Sequence, residues 1–194
     1  MPDSTVSAID PAPVECAAIA IYVTAMITQL HADIDTRVSR ILEQTPDWPC
    51  AKGCDSCCRQ LADVPQLTSE EWKLLKAGLA TLPAEQLAEI RRRIAELPIE
   101  RPHRVTCPML DPATGACPVY AHRPVACRTY GFYVQRDKGL YCGDIESRAV
   151  DGSLADVIWG NHEVIDLQLA NLGAKRSLTA WFNEGALEET SHPC

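Results

Sequence analysis

The chain has 194 residues, a formal net charge of −8, and 46% hydrophobic and 23% charged residues, which describes one globular domain with a sizeable core. That acidic balance argues against nonspecific nucleic-acid binding, which needs clustered Lys and Arg to neutralise phosphate. Ten cysteines, about 5% of the chain, are too sparse for a short disulfide scaffold.

Residues 1–13 read as a flexible N-terminal tail. The apolar stretch from Ala17 to Ile27 follows Asp3, Asp10 and Glu15 rather than basic residues, and it is too short to cross a bilayer. No membrane association is expected. The expected compartment is the cytoplasm, where thiols stay reduced and clustered cysteines point to metal.

From about 14 to 44, Ile19, Val23, Met26, Leu30, Ile34, Val38 and Ile41 recur at steps of three and four, the stripe of an amphipathic helix. The stripe reads as a core helix lying across the domain, with a coiled-coil or partner-binding seam as the alternative. Any protein partner is therefore expected on helix 14–44. Thr45-Pro46 ends it, because proline disfavours helical geometry in the residue before it. Thr68-Ser-Glu-Glu71 has capping-box spacing and opens a helix over about 69–80. Pro83 starts another over about 84–97, whose Arg91-Arg92-Arg93 reads as a wet face.

Between 107 and 150 there are too many Pro and Gly residues for a long helix. Thr129 to Val134 and Leu140-Tyr141 can pair as a small hairpin. A last long helix is expected to open at Ser153 and carry Leu154, Val157, Ile158, Ile165, Leu169 and Leu172, with Gly173 as its cap. A short closing helix follows over 177–183, and 186–194 form a flexible C-terminal tail. The expected fold is mainly α with small irregular and β elements. It is a single domain over 14–185, with helices 14–44 and 153–183 packed around a metal-stapled cysteine-rich region at 50–142.

That region holds the chemistry. Cys50, Cys54, Cys57 and Cys58 fall within nine residues, and Cys107, Cys117, Cys127 and Cys142 form a second set of four. Thiolates are soft ligands suited to zinc or iron–sulfur centres, and close spacing lets one loop supply several at little loop-closure cost. Eight thiolates satisfy two four-coordinate zinc ions, one four-iron cluster plus a zinc, or one cluster with thiols to spare. The expected partner is thus a metal ion, zinc or iron, with an iron–sulfur cluster among the forms iron can take. Cys50-x₃-Cys54-x₂-Cys57 also matches the pattern of radical S-adenosylmethionine enzymes, but a long helix precedes it and no βα alternation follows.

Cys50, Cys54, Cys57, Cys58 with Arg59-Gln60, then Cys107-Pro108, Cys117, Tyr120, Arg123-Pro124, Cys127-Arg128 and Tyr130 resemble the YkgJ-type cysteine-cluster proteins over roughly 50–142. Three residues rather than that family's usual two separate Cys50 from Cys54. The resemblance implies chelation of zinc or iron. Arg123 and Arg128 flank cysteines and can support the metal from behind its ligands, while Tyr120 and Tyr130 would wall the site. His122 reads as solvent-facing, and His31, His103, His162 and His192 have no ligand spacing. Cys16 reads as core and Cys194 as free. A metal-binding protein is the leading functional expectation. An iron–sulfur redox or peptide-modifying enzyme, and an interaction module using the first helix, stand as alternatives.

Overall fold

The computed structural model describes residues 13–97 and 104–185. The tails expected at 1–13 and 186–194, apart from Pro13, lie outside the described residues with Cys194, His103 and His192, as do the side chains of Cys16 and Ile19. The described residues form eight α-helices and five short strands, so the protein is mainly α. Among them no helix is long and apolar enough to cross a membrane.

The first helix, α1 (Pro13–Gln44), buries Ile27, Leu30, Ile34 and Ile41, with Val23, Met26, Val38 and Leu42 packed at the margin. This is the stripe expected from the sequence, widened by Ile27. Near its N-terminal end Ile21 and Tyr22 stay 72% and 66% exposed. A single turn, α2 (Ser56–Arg59), follows in the first cysteine run, then strand β1 (Gln66–Thr68) and helix α3 (Ser69–Leu79). Thr68 caps α3 with a full capping box: its hydroxyl accepts from Glu71 N–H at 3.3 Å, and the Glu71 carboxylate accepts from Thr68 N–H at 2.8 Å. Helix α4 (Ala84–Ala95) buries Ile90 and Ile94 and leaves Arg91 and Arg92 exposed. Arg92 pairs with Glu89 and Glu96 along the wet face.

The second cysteine run contains only short elements, as its Pro and Gly content requires. A 3-10 turn at Tyr120–His122 leads into α5 (Val125–Thr129). Strands β2 (Tyr133–Gln135) and β3 (Lys138–Gly139) make a hairpin shorter than expected and shifted toward its turn, since Thr129 ends α5 and Leu140-Tyr141 lie beyond β3. Arg136 and Asp137, with φ 48° and 60°, form its two-residue turn, the left-handed geometry that matches strand twist.

Beyond the hairpin the structure departs from expectation. In place of one long helix from Ser153 there are α6 (Gly143–Val150), a run of turns, strand β4 (Gly160–Asn161) and α7 (His162–Leu169). Gly152 at φ 84° closes the end of α6, and Gly160 pairs in parallel with Tyr133 to extend the hairpin into three strands. A β-carbon on Gly160 would sit 2.4 Å from the Tyr133 ring, so glycine is what admits this strand. Leu154, Ile165, Leu169 and Leu172 are buried as expected, but Ile158 is 76% exposed. Strand β5 (Lys175–Ser177) returns to pair antiparallel with β1, and α8 (Leu178–Gly185) closes the described chain.

The apolar interior forms two clusters. One gathers α1, Trp48, Phe132, Tyr133, Ile145 and the buried residues from Leu154 to Leu172, with Cys50 and Cys142 packed against it. The other gathers Leu67, Trp72, Leu75, Ile90, Ile94, Val119 and Leu178, with Cys107 and Cys117 at its margin. Trp48 stacks on Phe132 in the first cluster and Trp72 on Trp181 in the second, at centroid distances of 5.7 and 6.3 Å.

Candidate metal centre

Two main-chain contacts join the cysteine runs. The Cys107 N–H donates to the Cys58 carbonyl at 2.7 Å, and Leu61 and Val105 exchange N–H···O bonds of 2.9 and 2.8 Å. The runs touch again at Gly115, φ 67°, where a β-carbon would lie 2.8 Å from Asp55 Oδ2. Asp55 in turn holds Arg59 at 2.7 Å across the single turn of α2.

Between the runs lies a cavity of about 570 Å³. Seven thiols line it: Cys50, Cys54, Cys57, Cys58, Cys107, Cys117 and Cys127. Apolar side chains from both clusters, including Val38, Leu42, Leu75, Val119, Phe132 and Leu178, supply much of the remaining wall. Cys142 is not on that wall; it precedes α6 and packs half-buried on the first cluster. Cys54 is the one exposed thiol of the eight. Gly131, φ 92°, makes room for Cys50, since a β-carbon there would stand 3.0 Å from its sulfur.

The thiols influence one another strongly. Cys57 and Cys58 have their sulfurs 3.9 Å apart, close to the roughly 3.8 Å edge of a tetrahedron with 2.3 Å zinc–sulfur bonds. A hydrogen bond to Cys107 is the main cause that raises the Cys58 thiol to about 12. Burial, then the thiols of Cys54, Cys57 and Cys142, pushes Cys50 up to about 12. Burial, then Cys58, Cys57 and Cys117, does the same for Cys127. The bond to Cys58 and burial raise Cys57, and burial raises Cys117. These shifts describe crowded neutral thiols, which a cation would convert to thiolates. Among the described residues no three thiol, imidazole or carboxylate groups stand close enough to enclose one ion as placed.

The two arginines separate. Arg123 lines the cavity with its guanidinium carbon 3.7 Å from the centroid of Tyr120, and Lys52 of the first run lies 5.6 Å from the same ring. Arg128 is buried but is not on the cavity wall. It donates to both carboxylate oxygens of Asp35 on α1, at 2.9 and 2.7 Å, and to the carbonyls of Arg123 and Ala121. Tyr120 and Tyr130 both line the cavity, as expected of wall residues. His122 is half-buried against Gly78 of α3 rather than open to solvent.

Sequence reasoning missed the role of Glu71. Its Oε2 caps α3 while its Oε1 accepts from Val125 N–H at 2.8 Å, and Val125 is the first residue of α5, which carries Cys127. The capping box was a legible signal; its second duty was not.

No curated protein and no solved structure matches this chain. A family model does match, over residues 49–147, which is 99 of the 194 residues and takes in all eight clustered cysteines. The chain belongs to the CxxCxxCC family, whose domain is described as a "Putative zinc- or iron-chelating domain".

Proposed function

We propose that this protein binds zinc or iron through cysteine thiolates drawn from both runs. The observation that carries this is the lining of one cavity by seven thiols, with the runs tied together at Cys58 and Cys107. The donor set fits a soft-ligand metal: sulfur only, crowded, half-buried apart from Cys54, and with one pair already at tetrahedral spacing. Cys57, Cys58, Cys107, Cys117 and Cys127 are the ligands proposed nearest the junction. Cys50, Cys54 and Cys142 complete the set on the side of the first apolar cluster. When bound, the metal offsets part of the thiolate charge and fixes two loops that have little periodic apolar surface of their own.

A redox or peptide-modifying activity is the second reading, and the cavity's size favours it. Its volume of about 570 Å³ far exceeds one ion and falls within the range of small-molecule pockets. Anaerobic purification, elemental analysis and an absorption spectrum test both readings. Stoichiometric zinc without colour supports binding alone. A coloured, reducible iron centre supports the second reading, and a folded chain that takes up neither metal refutes the proposal.

A further inference from the structure

We propose that Arg123 is the cation that balances the metal's thiolates, a role that rests on the metal-binding reading above. Arg123 and Arg128 flank Cys127 four residues before and one after, and only their environments tell them apart. Arg128 has partners enough in Asp35 and two backbone carbonyls. Arg123 has none of that kind. Its Nε–H is buried without an acceptor, and among the described residues no carboxylate pairs with its guanidinium. Asp63, the one carboxylate among the described residues on the cavity wall, accepts the Val64 N–H at 2.7 Å and forms no ion pair with Arg123.

A guanidinium cannot escape this position by losing its proton, and leaving it half-buried without an anion is costly. The anion that the cavity can supply is a thiolate. Neutral thiols are weak acceptors, while thiolates are strong ones, and Arg123 shares the wall with Cys50, Cys117 and Cys127. The guanidinium carbon sits over the Tyr120 ring, 3.7 Å from its centroid, so the donor is held in place before the metal arrives. Four thiolates around a divalent ion leave two negative charges, and one fixed cation cancels half of them. Lys52 lies farther from the same ring, on an exposed residue of the first run, where solvent weakens its share. Arg123 is thus a positioning residue, acting on the metal through its ligands. Were the metal iron, a cation here would favour the more negative, reduced centre, and its loss would lower the potential.

The test uses the full chain and zinc, with affinity read by competition against a chromophoric chelator. Arg123→Gln should weaken zinc binding about 10–100-fold. Arg123→Lys should recover part of that loss, while Arg123→Met, which keeps an apolar stem over Tyr120 without the charge, should not. Arg128→Lys should move the melting temperature and leave zinc affinity in place. Should Arg123→Gln fail to fold, Tyr120→Leu frees the guanidinium from the ring and should still weaken binding. Wild-type affinity in Arg123→Gln, or equal affinity in the Lys and Met variants, overturns this role alone. A wild-type chain that takes up neither zinc nor iron overturns the metal reading with it.

Discussion

The Glu71 carboxylate accepts the Val125 N–H at 2.8 Å, across 54 residues of sequence. With its other oxygen it also accepts the Thr68 N–H and hydroxyl. One fully buried anion therefore satisfies the N-terminal ends of α3 and α5 together, and both helix dipoles favour negative charge there. Because α5 carries Cys127, the capping of one helix sets where a proposed ligand stands.

Replacing Glu71 with Ala should cost about 2–4 kcal/mol, since it removes a cap and strands buried N–H groups. Metal content should fall with it, through displacement of Cys127. Urea unfolding and elemental analysis of the variant check both, and unchanged metal retention would separate α5 from the centre.

Gly131→Ala should be destabilising and should disturb Cys50. The position has φ 92°, and the added β-carbon would meet the Cys50 sulfur at 3.0 Å. Strain in the left-handed region costs on the order of 1–3 kcal/mol. A Cys50 thiol that reacts with alkylating reagents at a changed rate in the variant would report the displacement.

His31 makes stability depend on pH. It is buried on α1 with Nε2 unpartnered, and burial, then Arg128, lowers its pKa to about 4 from an ordinary 6.5. The folded state therefore resists a proton that the unfolded chain accepts. Stability attributable to this group is fully present above pH 6.5 and is lost as pH falls toward about 4, by an amount of order 3 kcal/mol. His31→Leu should flatten that part of the acid limb. An identical pH profile in wild type and variant would show that the ring ionises freely.

Metal removal should loosen the cysteine loops before the long helices. Structural zinc contributes about 10–16 kcal/mol of apparent binding free energy in peptides, comparable to the roughly 5–15 kcal/mol stability of a whole domain. Hydrogen exchange with a chelator present should accelerate across 50–60 and 104–142. Over 27–41, where α1 buries Ile27, Leu30, Ile34 and Ile41, the change should be smaller. Uniform protection would mean that the fold holds the loops unaided.

What the sequence made legible was local. The α1 stripe, the Thr68–Glu71 box and the presence of a hairpin within 129–141 each depend on residues within a few positions of one another. The two-run architecture was legible as well, because short loops with several thiols need something to fold around. What escaped depends on distant partners. The helix expected to run on from Ser153 would have held Gly160 inside it, but Tyr133 takes Gly160 into a sheet. The pairing of Gln66–Thr68 with Lys175–Ser177 joins segments more than a hundred residues apart, and no local pattern announces it. Arg123 and Arg128 looked alike beside Cys127, and the pairing of Arg128 with Asp35 on α1 is a distant contact that no local pattern announces.

The division of the apolar interior into two clusters, with the thiols between them, has a mechanical side. Cys50 and Cys142 belong to one block, and Cys107 and Cys117 to the other. An ion held by sulfurs from both blocks works as a clasp whose grip depends on how well the blocks seat. Strain applied elsewhere, for instance by breaking the Glu71–Val125 bond that ties α3 of one block to α5 of the other, would then be felt at the metal as a longer reach between its ligands. Affinity for the ion and the closeness of the two blocks become one quantity read at two places.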